Sequence, residues 1–479
     1  MLAFFFPALP AASQTPQGSP ALRALLIACD DFVSQPDTTP SSFNNALALR
    51  RALLQDVRGY QRVRVSLNQA LDGAGFSAQA AQAFEGAGEG DISLVYLSTH
   101  GLKGGESGDE FTALMSDGER EAYLSSGDIF AGLKNIPGKK FLILDACFSG
   151  AAINKGMDEP LPSSIFSGPD FKVMTSAGGM EPSFLWTDGL GVVRGGSYFA
   201  QALVDGLSVS GRFAADENQD GRVTLRELHA HQLRAYGAST PYTYPEMDDF
   251  VVLEYDASKA TGLVRPVGGL AFDSRVIRDE GEAFYFTYNL YQPARLAYLL
   301  VYEQGGSWRF QAPQNIMEDG VLPPGRRQAS LMLQPGLAGL SGYLLMMVIT
   351  VEEDRAVPQA CVLLSVQTGE ADLALTLQSA PCFDPSAGEE AAFVLRHNGA
   401  VELTARVLDD RGQPVATLLY GAISRPLHLK KEGTAIYWNG KTDSGELAPP
   451  GTYRLEVIVQ AGRQRTAVTS HLIQLKAPE

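Results

Sequence analysis

The stretch Phe141–Gly150, FLILDACFSG, constrains this chain more than any other. Four apolar residues of strand character run straight into a small polar turn with Cys147 near its tip. A buried strand that ends so abruptly suits an open α/β sheet, and such sheets gather their chemistry beyond the C-terminal ends of their strands. Forty-seven residues upstream the design repeats, where the run Ser93–Leu97 ends in Ser98, Thr99, His100 and Gly101. Two adjacent parallel strands would bring Cys147 and His100 to one sheet edge. A thiol becomes a strong nucleophile near neutral pH only with a lowered pKa or a base in reach. An imidazole supplies that base and returns the proton to a leaving amine. Glycine beside each residue lets backbone N–H groups approach a developing oxyanion. A lone Cys or a lone His would predict only core packing. The pair predicts a cysteine–histidine hydrolase.

The rest of the first half fits that sheet. Strands are expected at Leu22–Ala28, Val63–Leu67, Ile92–Leu97, Phe141–Ala146 and Phe171–Ser176. Helical spacing marks Asn44–Leu54, Phe76–Phe84, Ser126–Leu133 with Ser126 as N-cap, and Ser197–Leu207. Strands alternating with helices indicate a mostly parallel sheet with helices on both faces. Between the fourth and fifth strands, residues 151–170 form a Gly/Pro/Ser-rich connection, a length that is uncommon without function. From about Thr261 helical periodicity gives way to short alternating runs divided by Gly/Pro turns, an all-β pattern. The expected organisation is an α/β domain over 21–260, a β-sandwich over 261–380 and a second over 381–479.

Charge narrows the partners. The 479 residues carry 38 Lys+Arg against 54 Asp+Glu, a formal charge of −16 without a basic cluster, which argues against nucleic acid. Cys29 closes an apolar run and reads as a buried thiol, while Cys361 and Cys382 are candidates for a disulfide if the chain is secreted. Residues 1–20 look like the back half of a secretory signal without its basic start, and the expected location is secreted or cell-surface. No apolar run long enough to span a membrane follows.

At Ser98–Gly101 and at Asp145–Gly150 the sequence resembles the caspase-like cysteine peptidases, which include caspases, metacaspases and clostripain-like enzymes. The first segment looks like their His–Gly block and the second like the Asp-x-Cys-x-Ser-Gly block of metacaspases. The resemblance covers roughly residues 20–256 and implies a caspase-like fold and a cysteine endopeptidase acting on peptides or proteins. It further implies that Cys147 attacks the carbonyl, that His100 assists, and that the Gly101 and Cys147 N–H groups form the oxyanion hole. In metacaspases acidic residues favour Arg or Lys at the cleaved position. Asp145 and Ser98 match pocket residues, Asn45 replaces a further acid, and Asp30 or Asp31 can substitute for it from the preceding loop. A basic preference makes Lys155 a candidate for self-cleavage within 151–170. Phe184 and Trp186 follow the fifth strand where the family carries pocket contacts.

Residues Asp216–Glu227 form a second motif. Asp216, Asn218, Asp220, Thr224 and Glu227 place oxygen donors at positions 1, 3, 5, 9 and 12 of an EF-hand loop, with Gly221 at 6 and the Arg222 carbonyl at 7. Calcium needs that many hard oxygens, and Leu225–Tyr236 reads as the exiting helix. No clear helix precedes the loop, so a single dockerin-like loop is expected. Near the C-terminus, Tyr437–Gly440, Asp443–Gly445 and Pro450–Tyr453 resemble the Ig-like domain of flagellar hook-capping proteins. That resemblance implies Trp438 in a core and a module that presents or spaces the peptidase of a bacterial-type secreted protein, with cell-surface or cell-wall contact. Two alternatives stand beside the peptidase: a catalytically silent caspase-like scaffold, and an adhesin working through its β-domains.

Overall fold

A computed structural model describes residues 20–35, 41–105, 110–158, 164–187, 195–235, 239–260, 262, 264–278, 283–304, 307–310, 316–317, 320–332, 343–352, 355–367, 373–377, 380–425, 433–462 and 464–476. Residues 1–19, with the expected signal remnant, lie outside them. In chain order the first half contains β1 (Leu22–Ala28), α1 (Ser41–Leu53), β2 (Tyr60–Leu67), α2 (Gly73–Ala83), β3 (Ile92–Ser98), β4 (His100–Gly104), β5 (Glu110–Ser116) and β6 (Glu121–Ser125). It continues with α3 (Ser126–Leu133), β7 (Lys139–Asp145), β8 (Phe171–Thr175), β9 (Leu185–Thr187), β10 (Gly195–Ser197), α4 (Tyr198–Leu207), β11 (Arg222–Thr224), α5 (Leu225–Ala235), β12 (Tyr242–Tyr244) and β13 (Val251–Glu254). The central sheet has the order β12-β8-β7-β3-β1-β2, parallel except for the antiparallel edge strand β12.

Every residue of β1 is buried, as expected of a strand covered on both faces. Its alternation divides the two cores. Ala24, Leu26 and Ala28 join Leu49 of α1, Phe199 of α4 and Leu228 of α5. Leu25 and Ile27 join Phe76 of α2 and Ile129 of α3. α1 starts three residues before the expected Asn44 because a distant carboxylate caps it: Asp30 accepts from Ser42 N–H (2.8 Å) and Phe43 N–H (2.6 Å). At α3 the cap is Ser125, not Ser126. Ser125 and Asp128 form a reciprocal capping box.

Several elements were not expected, the short pairs β9–β10 and β11–β13 among them. β4, β5 and β6 make a separate three-stranded antiparallel sheet directly after β3, and β12 extends the main sheet. The alternation in FTALMS and EAYLS, split by Asp117–Gly118, is the signal that marks the hairpin.

Downstream, residues 267–367 form sheets that share a core containing Phe286, Tyr298, Met346 and Leu364. Residues 373–475 form a further, mostly antiparallel pair of sheets. There Trp438 is 1% exposed and packs edge-on against Phe383 and Tyr453. Cys382 carries a free thiol, and the Cys361 side chain lies outside the described residues. One buried cluster runs from Met157, Phe166 and Phe171 of the first unit into Phe393, Leu418 and Trp438 of the last. The first and last units therefore share a core across a long sequence separation.

Candidate active site

β3 and β7 pair in parallel, with Ser98 opposite Asp145 in register. His100 and Cys147 each lie two residues past that pair, so both leave the sheet side by side. The Thr99 N–H reaches the Asp145 carbonyl at 3.4 Å and carries the contact just beyond the strands. Gly101 then lies directly against the Cys147 backbone. A Cβ there would overlap the Cys147 carbonyl oxygen and come within 2.8 Å of its carbon. Only glycine permits that approach.

Cys147 is half-buried, and among the described residues its sulfur contacts the Ser183 main chain. Ser183 N–H donates to Sγ at 3.3 Å, and the Ser183 carbonyl lies 3.7 Å from Sγ. Burial pushes the Cys147 thiol up, the Ser183 contact pulls it down, and the Asp145 charge adds to the rise. Burial holds His100 below its ordinary value against the opposing pull of Asp30 and Glu121. Both shifts favour the uncharged forms, thiol and neutral imidazole. The His100 ring packs on Phe32, with centroids 4.6 Å apart, and its Nε2 is buried without a hydrogen-bond partner among the described residues.

The turn after Cys147 is locked by small residues. Ser149 is fully buried, and its Oγ accepts from Ala177 N–H at 3.2 Å. Gly150 has no room for a Cβ, which would fall within 2.8 Å of the Lys155 carbonyl, Gly179 nitrogen and Ala177 carbonyl. The Ser-Gly end of the motif is thus a packing device.

Beneath the pair sits a buried carboxylate. Asp145 Oδ2 accepts from Ser197 Oγ (2.6 Å), Tyr96 Oη (2.8 Å) and Asn45 Nδ2 (3.3 Å). Asn45 also reaches Ser98 Oγ at 3.4 Å and takes the Ser197 N–H on its own carbonyl at 3.1 Å. Burial raises the Asp145 carboxyl to about 6, with the Ser197 and Tyr96 hydroxyls opposing the rise. The structure brings together Asp145, Ser98 and Asn45, as the sequence suggested. It adds Tyr96 and Ser197, which no local motif announces. Asp30 caps α1, the helix that carries Asn45, and lies within electrostatic reach of both Tyr96 and His100. Asp31 is exposed, with its carboxylate against Gly118 in the β5–β6 turn. Phe184 packs against the core that holds α1 and α4, and the Trp186 side chain lies outside the described residues.

Lys155 is a correction. Its ammonium donates to the Leu418 carbonyl at 2.7 Å and pairs with Glu246 at 3.5 Å, in the seam between the first and last units. Its own N–H bonds the Gly150 carbonyl, and its carbonyl accepts from Gly179 N–H. A scissile bond must be extended and accessible, and this one is folded in and anchored. It is the only basic residue in 151–170, so that connection presents no basic cleavage point.

In the acidic loop, Asp216 Oδ2 accepts from Gly221 N–H (3.0 Å) and Tyr255 Oη (2.8 Å). Asn218 Oδ1 accepts from Asp220 N–H (2.9 Å), and Asp220 Oδ1 from Arg222 N–H (2.9 Å). Glu227 Oε2 accepts from Thr224 Oγ1 at 2.8 Å. Gln219 and Gly221 take the left-handed backbone that turns the loop. Among the described residues no three His, Cys, Asp or Glu side chains are drawn together at metal-ligating spacing. Burial raises the Tyr255 phenol, and the hydrogen bond to Asp216 and the charges of Asp216, Asp220 and Glu227 add to the rise. The Asp216, Asn218, Asp220, Thr224 and Glu227 side chains carry the hard oxygen donors that suit a hard cation.

No curated protein matches the chain. Among solved structures, caspase-1 from Spodoptera frugiperda aligns at 16% identity over 53% of this chain and 99% of its own, with a TM-score of 0.34. A Geobacter sulfurreducens protein aligns at 14% identity over 51% of this chain and 98% of its own, also at 0.34. The family model described as "Caspase domain" matches residues 21–246. That stretch has a caspase-like fold.

Proposed function

We propose that the first unit is a cysteine endopeptidase in which Cys147 is the nucleophile and His100 the general base. The observation that carries this is the placement of both residues two positions past one registered pair of strands, with Gly101 against the Cys147 main chain. With thiol and imidazole both neutral at rest, substrate entry is the event that transfers the Cys147 proton to His100. The thiolate then attacks the carbonyl, and the Gly101 and Cys147 N–H groups take the oxyanion. The imidazolium next protonates the leaving amine, and water releases the acyl group.

The same reading assigns Arg or Lys to the cleaved position. Asp145 supplies a buried negative charge, and Ser98 and Asn45 stand beside it. Three donors already fill Asp145 Oδ2, so the charge acts through the pocket wall rather than by a bare carboxylate contact. A quenched-peptide library tests both points. Cleavage after Arg or Lys, lost in Cys147→Ala by at least about a thousandfold, is expected. Turnover that survives Cys147→Ala would end the nucleophile assignment, and cleavage after Asp would end the basic one.

We further propose that Asp216, Asn218, Asp220, Thr224, Glu227 and the Arg222 carbonyl hold a structural Ca²⁺, which supplies charge neutralisation that fixes the loop. The β-units serve to space or present the peptidase of a secreted or surface protein. The Trp438 core with turn glycines at Gly440 and Gly445 supports an Ig-like module. Among the described residues no helix is long and apolar enough to cross a membrane.

A further inference from the structure

Phe148, directly after the nucleophile, has φ 60°, in the left-handed region that side chains other than glycine rarely adopt. Such a residue persists only where its surroundings over-determine it. Here the surroundings are the loop after β8. The Phe148 N–H donates to the Glu181 carbonyl at 2.8 Å, and the Gly150 N–H donates to the Ala177 carbonyl at 2.8 Å. Two residues beyond Glu181, the Ser183 main chain meets Sγ itself. Residues 177–183 are therefore the mould in which the Cys147 turn is set.

Something must hold the mould. The Glu181 carboxylate, 5% exposed, accepts from Gly178 N–H (3.2 Å) and from Thr240 N–H (2.9 Å). Thr240 does not stand on its own either. Its hydroxyl donates to the Ile423 carbonyl at 2.8 Å and accepts from the Ile423 N–H at 2.6 Å, so it is pinned to a strand of the last β-unit, Pro414–Ser424. Two more contacts join the same partners. Lys155 reaches the Leu418 carbonyl, and the Ala435 N–H donates to the Met157 carbonyl at 3.0 Å. The buried Arg425 lines one small cavity with Glu181, Tyr242, Ser424 and Thr434.

We propose that Glu181 is a positioning residue for Cys147, anchored through Thr240 to the last β-unit, so that this unit is a working part of the active site and not an appended module. The inference rests on the peptidase reading. Thr240 and Glu181 touch neither substrate nor the reacting atoms. They act by fixing where Sγ and the Phe148 backbone sit.

The full chain carries the test, with Thr240→Val, Thr240→Ser and Glu181→Gln. Three quantities are read: kcat and KM on a cleaved peptide, the iodoacetamide alkylation rate of Cys147 followed on its own peptide by mass spectrometry, and the melting temperature. Thr240→Val is expected to lower kcat by about tenfold with KM nearly constant. It should also slow Cys147 alkylation by about threefold, because Sγ loses its well-placed N–H donor. Thr240→Ser, which keeps the hydroxyl, should restore both, and Glu181→Gln should fall between. If Thr240→Val folds with parent kcat and parent alkylation, or if Thr240→Ser is impaired equally, the inference is wrong. Should Thr240→Val fail to fold, the Glu181→Gln comparison decides by the same two readouts. Absence of turnover in the parent chain would sink the peptidase reading alone, since alkylation still reports whether the anchor sets the thiol.

Discussion

Two loops of the first unit are built by opposite means. The acidic loop 216–227 is closed largely from nearby: its Asp and Asn side chains take N–H groups two to five residues away, while Tyr255, Arg234 and the pairing of β11 with β13 join it from within the same unit. The Cys147 turn has almost no such self-sufficiency. Its backbone is set by residues 177–183, that loop by Thr240, and Thr240 by Ile423, 183 residues further along. A loop closed mostly by its own side chains and near neighbours should keep the effect of a substitution local. A loop set from a distance couples the candidate site to the whole fold, and its substitutions should propagate.

The largest break in that contrast should come from Gly101→Ala. The added methyl cannot fit against the Cys147 carbonyl, and both strands that carry the site are buried and stiff. Overpacking of this kind costs about 1–3 kcal/mol, and displacement of reacting groups by about 1 Å costs roughly a hundredfold in rate. Circular dichroism should show the fold retained with a lower melting temperature, while kcat/KM drops by about a hundredfold or more. Parent-level cleavage by a folded Gly101→Ala protein would mean that the close approach of His100–Gly101 to Cys147 does not matter.

Calcium should give a middling and strictly local effect. At a calcium concentration about a hundredfold above Kd, binding to the folded state alone adds about 2.7 kcal/mol, visible as a higher melting temperature that chelation reverses. Asp216→Ala should abolish the rise, since Asp216 meets both the loop backbone and Tyr255. Cys147 alkylation should not change with calcium. A calcium-dependent alkylation rate would break the contrast, because the self-closing loop would then speak to the site.

The same contrast explains what could be read in advance. The central strands were legible because a strand covered on both faces is a continuous apolar run, as β1, β3 and β7 are. Cys147, His100 and Gly101 were legible because each closes such a run. The acidic loop was legible because its donor pattern is local. The Ser197–Asp145 and Tyr96–Asp145 bonds were not, since they join residues 52 and 49 positions apart whose neighbours carry no shared pattern. Lys155 was misread for a related reason. Its segment has the composition of an open loop, and only the Leu418 and Glu246 contacts reveal it as a seam. The shared core with residues 383–475 was likewise hidden, because alternation tells which residues face inward and not which unit they face.

The smallest expected effect lies in titration. Burial raises Glu181 from 4.5 to about 7 and Asp145 from 3.8 to about 6. Between its ordinary and its raised value each group binds more protons folded than unfolded, so its stabilising contribution is complete below about pH 4 and is lost as pH rises through the raised value. At about 1.4 kcal/mol per unit, each accounts for up to about 3 kcal/mol. His100, His229, His231 and His397 are lowered by burial and act in the opposite sense, so the informative quantity is the difference between parent and variant. Urea unfolding of Glu181→Gln beside the parent should show the variant gaining relative stability as pH rises from about 4 to about 7, with most of the change in the upper half. Asp145→Asn should make the same change about one unit lower. The offset between the two profiles separates a carboxylate buried beneath the sheet edge from one buried at the joint with the last unit. Two flat differences would show both groups titrating in the fold at their ordinary values, and the Cys147 turn would then be set against two negative charges at neutral pH.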